Sequence, residues 1–74
     1  MSAAIYAPDA KARATIAAAF IRRNPRSVSR AFSACFEMGD GDEVMSHLRT
    51  MARRSPTLRA NWPRFFSIPL TPAE

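Results

Sequence analysis

Apolar residues recur along the chain at the three- and four-residue spacing of α-helices, and nowhere with the alternation of a β-strand. The first periodic segment has an apolar stripe made of Ile16, Ala17, Phe20 and Ile21. Pro8 and Asp9 precede it and are residue types that begin helices. The pattern predicts a first helix that ends at about Arg23. Its outer face is predicted to carry Lys11, Thr15, Ala18 and Arg22.

A second helix is predicted over about Pro25–Met38. Asn24 is a good N-cap, and proline suits the first helical position. The predicted inward face consists of Val28, Ala31, Phe32, Cys35 and Phe36. The predicted outer face consists of Arg26, Ser29, Arg30, Ser33 and Glu37. Gly39 is a natural stop after this helix.

A third helix is predicted from Asp40 to Arg54. Asp40 and Glu43 have the spacing of a capping box, in which each side chain bonds to the backbone beside the other. The apolar positions are Val44, Met45, Leu48, Met51 and Ala52. The outer face toward the end of the helix carries Arg49, Thr50, Arg53 and Arg54.

Ser55-Pro56 indicates the start of a short fourth helix with Leu58 and Trp62 facing inward. Pro63 either breaks this helix or restarts it as a single turn. The two prolines within residues 68–72 favour extended chain. We therefore predict an all-α fold, a small bundle of three main helices plus a short fourth helix and an extended C-terminal tail. Residues 1–74 form a single helical domain in this prediction, with a flexible arm at 1–7 and the tail at 67–74.

The charge of the chain is strongly positive. Eleven basic residues, ten of them arginine, face six acidic ones in 74 residues, for a net charge of +5. Four of the six acids fall within residues 37–43, and outside that stretch the net charge is +9. Such a field attracts phosphate backbones and acidic protein surfaces. A solvated arginine surface that only maintains solubility is the alternative explanation.

Two chain corners carry the same charge pattern. Arg22-Arg23-Asn24-Pro25 and Arg53-Arg54-Ser55-Pro56 each end one predicted helix with an arginine pair and start the next with a cap and a proline. Antiparallel packing of the helices would bring both corners to one end of the domain. The predicted binding residues are Arg22, Arg23, Arg26, Arg30, Arg49, Arg53 and Arg54.

No residue pattern indicates catalysis, a cofactor or a metal. His47 follows Glu43 by one helical turn, which is typical of a surface contact. Cys35 lies between two phenylalanines on an apolar face, as expected for an inert buried thiol. The acidic run 40–43 is too short for a calcium loop, and two glycines cannot form a phosphate-binding loop. We expect a protein that is not an enzyme and has no cofactor.

The aromatic residues Trp62, Phe65 and Phe66 have two interpretations. They complete a thin core, or they remain exposed as an anchor for a partner or a second copy of the chain. Arg59 and Arg64 alternate with them, a mixture that can also stack on unpaired bases.

The compartment is predicted from what the chain lacks. A single cysteine suits a reducing cytosol, and Met1–Asp9 does not have the pattern of a signal peptide. No apolar run is long enough to span a bilayer. We expect a cytoplasmic protein that does not enter membranes.

One family resemblance concerns the middle of the chain. The positions Val28, Phe32, Cys35-Phe36-Glu37, Gly39-Asp40, Val44, Leu48 and Met51-Ala52-Arg53 resemble the first helices of addiction-module antidote repressors. The resemblance covers under half of the chain, and the helix-turn-helix that defines that family has no counterpart after Ser55. Asp40, Asp42 and Glu43 would also repel DNA if helix 3 entered a groove by its N-terminus.

These observations predict a small non-catalytic regulatory protein that binds nucleic acid or a nucleoprotein complex through an arginine-rich helical surface. The first alternative is a stoichiometric inhibitor that docks on an acidic protein surface. Phage-borne anti-defence proteins, including anti-CRISPR proteins, are often single domains of this size without motifs. The second alternative, which the resemblance implies, is an antidote that neutralises a toxin.

Overall fold

The computed structural model describes residues 9–67 and residue 70, and this part of the chain is all-α without strands. The helices are α1 (Ala10–Arg23), α2 (Arg30–Ala34), α3 (Gly41–Arg54) and α4 (Pro56–Asn61). A 3₁₀ turn at Trp62–Arg64 follows α4 directly. The predicted fold class is confirmed. The predicted arm at 1–7 and most of the predicted tail lie outside the described residues.

Helix α1 begins and ends close to the predicted positions. The Asp9 carboxylate accepts a hydrogen bond from the backbone N–H of Lys11 at 3.1 Å. The helix ends at Asn24, which adopts the left-handed conformation with φ of 51° and donates its N–H to the Ile21 carbonyl. Asparagine tolerates this conformation better than most residues, so it serves as a C-cap.

The buried face of α1 is wider than predicted. Ala18 was placed on the outer face, and this is wrong, because Ala18 is fully buried. Both α3 and α4 pack on α1, so two adjacent stripes of the helix are covered. The covered side chains are mostly small, namely Ala10, Ala14, Ala17, Ala18 and Ile21.

The second helix is much shorter than predicted. It spans only Arg30–Ala34, and the Ser29 hydroxyl caps it by accepting the Phe32 N–H at 3.2 Å. Asn24 therefore ends α1 and does not start α2, and Pro25 is not helical. Val28 was predicted to face inward but is 51% exposed, because it precedes the helix. The inward positions of Phe32 and Cys35 are confirmed, since both are buried.

Helix α3 presents a narrow apolar stripe to the core. Val44, Leu48 and Ala52 are fully buried, while Met45 and Met51 are partly buried. The predicted corner at Ser55-Pro56 is confirmed: the Ser55 hydroxyl accepts the Leu58 N–H at 3.4 Å, and Pro56 starts α4. The prediction that a helix also starts at Asn24-Pro25 is wrong, because neither residue is helical.

The two long helices run in the same general direction. Arg13, in the first turn of α1, bonds to Asp40 at the start of α3. At the other end, the Asn61 amide of α4 donates to the Ile21 carbonyl in the last turn of α1 at 2.9 Å. The segment 24–40, which contains α2, thus returns the chain from the end of α1 to its start. The arginine pairs that end α1 and α3 therefore lie at the same end of the molecule.

An aromatic cluster covers the core beside α2. Phe32 lies at its centre, with ring centroids 5.3 Å from both Phe36 and Phe65 and 6.0 Å from Phe66. The Trp62 ring lies 4.3 Å from Phe66. These contacts join the return segment to the 3₁₀ turn, so the residues after α4 close one side of the core.

Membrane insertion has no support in the described part of the chain, where no helix combines the length and apolarity needed to cross a bilayer.

Candidate binding surface

Six exposed arginines gather where α1, α3 and α4 come together. Because α4 has six residues, it advances only about 9 Å from the end of α3 to its contact with Ile21. The C-terminal ends of α1 and α3 therefore lie at the same end of the molecule. We call this surface the basic end, and it comprises Arg22, Arg23, Arg53, Arg54, Arg59 and Arg64.

Two arginines of the basic end are held by hydrogen bonds. Arg59 donates from Nη1 to the Arg53 carbonyl at 2.7 Å, near the end of α3. Arg64 donates from Nη1 to the Asn24 side-chain oxygen at 2.8 Å, at the end of α1. A guanidinium has five N–H donors, so each anchored group keeps others for a ligand. The anchoring also lowers the entropy lost when the side chain binds.

Sequence reasoning left Arg59 and Arg64 out of the predicted site. They were noted only as neighbours of the aromatic residues. Arg64 depends on a long-range contact with Asn24, 40 residues away, whereas Arg59 bonds to Arg53 across the corner between α3 and α4. One sequence feature could have placed them in the site, namely their position after the Arg53-Arg54 corner. A short helix at that corner brings the chain back toward α1.

The other arginines that were predicted to bind a partner lie outside the basic end. Arg26 is exposed in the return segment, and Arg30 is exposed at the first position of α2. Arg49 is half-buried on α3, one turn before Arg53. Within the described part of the chain, no carboxylate lies within 4 Å of any arginine other than Arg13.

The carboxylates within residues 9–67 lie at the opposite end. Asp9 precedes α1, while Asp42 and Glu43 lie in the first turn of α3. Glu37 lies between Cys35 and Asp40, both of which contact Arg13 near the start of α1. We call this surface the acidic end. Helix α3 thus has two acids in its first turn and arginines in its last, while α1 is preceded by one acid and ends in arginines, as the helix dipole favours. Because the two helices run in the same direction, their arginine ends lie together.

Among the charged residues that the structure describes, Arg13 alone is buried, at 1% exposure. Its two terminal nitrogens meet the two Asp40 oxygens at 2.6 Å each, and Nη1 also lies 3.4 Å from the Cys35 carbonyl. No sequence pattern distinguishes Arg13 from the other basic residues on the predicted helices, so its role was not predicted. Asp40 occupies the N-cap position of α3 without a capping bond, so the predicted capping box is wrong.

The bidentate pair fixes the charge of both groups. Hydrogen bonds from Arg13 hold the pKa of the Asp40 carboxyl below its ordinary value, with partial burial acting in the opposite direction. The same bonds raise the pKa of Arg13. Asp40 is therefore neutralised by Arg13 and contributes little to the field of the acidic end.

The residues considered for catalysis fall in ordinary environments. His47 Nε2 lies 3.9 Å from a Glu43 oxygen on the surface of α3, as predicted for a one-turn contact. Cys35 is fully buried, and its thiol lies 3.4 Å from the Ala31 carbonyl. Burial raises the pKa of the Cys35 thiol, while the positive charge of Arg13 has a smaller, opposite effect. Over residues 9–67, no three histidine, cysteine or carboxylate side chains gather as metal ligands do.

The aromatic residues considered as a partner anchor are packed to different degrees. Trp62 is 2% exposed and belongs to the core. Phe65 and Phe66 are half-buried against it.

Comparison with known proteins does not add to this description. The chain matches no protein-family model, and no curated protein or solved structure matches it significantly.

Proposed function

We propose that this chain is a small regulatory binding protein that engages the phosphate backbone of a nucleic acid, alone or within a nucleoprotein complex. The observation that carries the proposal is the basic end, whose six exposed arginines have no described carboxylate within ion-pair distance. Phosphate contacts by arginine supply most non-specific affinity for nucleic acids.

The separation of charge supports a defined orientation of binding. The acidic end would be repelled by a polyanion, so the molecule approaches with the ends of α1 and α3 first. Helix C-termini offer carbonyls and arginines rather than free N–H groups, so contacts to the backbone outweigh contacts to base edges. The bound surface is therefore expected to recognise phosphate more than sequence.

Fluorescence anisotropy with labelled DNA and RNA tests the proposal. We expect binding at about 50 mM salt that weakens steeply toward about 200 mM, with a slope of log affinity against log salt that reports the number of phosphates contacted. The double variant Arg53→Gln with Arg54→Gln is expected to reduce the slope by up to about 2 for duplex DNA.

Lys11→Gln is the matched control. Lys11 is an exposed cation at the start of α1, beside Asp9 and far from the basic end. The variant removes one positive charge from the molecule but not from the proposed surface. An equal loss of affinity in Lys11→Gln, or no binding to either nucleic acid at low salt, would overturn the proposal.

A stoichiometric protein inhibitor is the second candidate, and one observation favours it. Val28 and Met38, before and after α2, are large hydrophobic residues with about half of their surface exposed, at 51% and 50%. Exposed apolar side chains of this kind contribute to protein interfaces. A pull-down with and without nuclease separates the candidates, because a protein partner held in equal amount after nuclease treatment contradicts binding through nucleic acid.

A further inference from the structure

The residues that follow α4 are held to the end of α1 by two hydrogen bonds in the same register. The Asn61 side-chain amide donates to the Ile21 carbonyl at 2.9 Å, and Arg64 donates from Nη1 to the Asn24 side-chain oxygen at 2.8 Å. Each bond joins residues 40 positions apart in the chain. The first bond is partly buried and the second lies on the surface, so the 3₁₀ turn runs alongside the end of α1.

Asn24 occupies a backbone position that glycine fills at lower cost. Its φ of 51° is left-handed, and among the described residues no other one besides glycine has a positive φ. Its N–H ends α1 by donating to the Ile21 carbonyl at 3.0 Å, a bond that needs no side chain. Glycine adopts this conformation without the strain that a Cβ introduces, and it is the commonest residue just after a helix. The end of the helix therefore does not by itself account for the asparagine side chain.

The charge around Arg64 accounts for this side chain. Asn24 directly follows Arg22-Arg23, so its bond to Arg64 brings a third exposed guanidinium to that pair. Like charges repel, and an unattached arginine side chain lowers the repulsion by moving away into solvent. A neutral amide oxygen holds the guanidinium in place without cancelling its charge, as a carboxylate would. The other N–H donors of Arg64 stay available to a ligand.

We propose that Asn24 is a positioning residue of the basic end. It holds Arg64 beside Arg22 and Arg23, so that a backbone phosphate of the nucleic acid meets a preformed cluster of guanidinium groups. Binding ordinarily costs the entropy of ordering each long side chain that takes part. An arginine that is already held loses less, so the Asn24 side chain strengthens binding without itself contacting a phosphate. This inference rests on the proposed function and assigns one cluster within the basic end.

Asn24→Gly tests the inference, because glycine keeps the left-handed turn and the N–H bond to Ile21 but removes the oxygen that holds Arg64. Fluorescence anisotropy with labelled DNA and RNA at about 50 mM salt measures the affinity. We expect a loss of about two- to tenfold, as for the release of one long side chain. The slope of log affinity against log salt should keep its wild-type value, since no charge is removed. Tm should stay within a few degrees of wild type, because glycine suits this backbone.

A second variant shows whether Asn24 acts through Arg64. Arg64→Gln should weaken binding and reduce the salt slope by up to about 1 for duplex DNA, because it removes a phosphate contact. Adding Asn24→Gly to Arg64→Gln should cause no further loss, since the two residues act as one unit. Asn61→Ala gives the pattern of a structural role for comparison. It removes the partly buried bond to Ile21 and should lower Tm and affinity together.

The inference and the proposed function fail in different ways. Wild-type affinity in Asn24→Gly, a fall in Tm that accompanies its loss of affinity, or an equal loss from Asn24→Gly with and without Arg64→Gln would each overturn the inference alone. A wild-type chain that binds neither DNA nor RNA at low salt would overturn the proposed function and the inference with it.

Discussion

Arg13 and Asp40 join the starts of the two long helices through paired bonds of 2.6 Å, with the arginine buried and the aspartate 30% exposed. They are 27 residues apart in the chain. The pair favours packing of α3 in the same direction as α1, because in the opposite direction Asp40 would lie near the end of α1 and could not reach Arg13. The separation of acidic and basic ends depends on this contact.

Removing the Asp40 charge should destabilise the fold. In Asp40→Asn the buried Arg13 cation loses the paired bonds to the Asp40 carboxylate, so we expect a clear fall in Tm at neutral pH. Asp42→Asn changes an exposed carboxylate of the same helix and serves as the control. Thermal unfolding followed by circular dichroism measures both. If the two variants melt together, the pair does not stabilise the fold.

The same pair should make stability depend on acid pH. The pKa of Asp40 is lower in the folded chain, so the ion pair stabilises the fold above the unfolded pKa of about 3.9 and loses this effect as pH falls through the folded pKa. The Tm difference between wild type and Asp40→Asn should therefore be largest near neutrality and shrink in acid. A difference that stays constant down to about pH 2 contradicts this explanation.

Leu48 is the central core residue of α3 and is fully buried. Leu48→Ala should lower the free energy of unfolding by about 2–5 kcal/mol, a large part of the stability of a domain this small. Val28→Ala removes part of a half-exposed side chain and should change it by less than about 0.5 kcal/mol. Urea unfolding provides both values. Comparable losses would mean that Val28 is buried, as its sequence pattern suggested.

Substitution of Ser55 tests whether its hydroxyl stabilises the start of α4. Its hydroxyl accepts the Leu58 N–H, so Ser55→Ala should cost about 1 kcal/mol of stability. Ser33→Ala, at an exposed position in α2, should stay within about 0.5 kcal/mol of wild type. Urea titrations of the two variants check the difference, and a neutral Ser55→Ala would mean that the cap does not stabilise α4.

Cys35 should be unreactive in the folded protein. Burial blocks access to the thiol and raises its pKa, so little thiolate forms at neutral pH. A thiol-reactive chromogenic disulfide should label Cys35 slowly in buffer and completely in denaturant. Rapid labelling of the native chain would show that the segment around α2 opens readily.

The local chemistry of the sequence predicted α1, α3 and the start of α4 closely. Asp9, Ser55 and Pro56 act within a few residues of where they stand in the chain, so their effect can be derived without the fold. Asn24-Pro25 has the same local chemistry as Ser55-Pro56, yet only the second starts a helix. Asn24 instead ends α1, and the chain must turn back along that helix before α2 can form.

The sequence by itself determined the all-α class, the placement of charges along each long helix, and the burial of Leu48 and Leu58, because helical periodicity and capping are local properties. It left open whether Trp62 is buried, and the tertiary structure places Trp62 in the core. Only the tertiary structure decided the roles of Arg13, Arg59 and Arg64. Arg13 and Arg64 bond to groups that packing brings near from 27 and 40 residues away, and Arg59 bonds to Arg53 across the corner between α3 and α4. One-dimensional periodicity carries no information about the direction in which two helices pack. That direction decides whether the charge separations along α1 and α3 oppose or reinforce each other. Here the helices run the same way, so the separations reinforce each other.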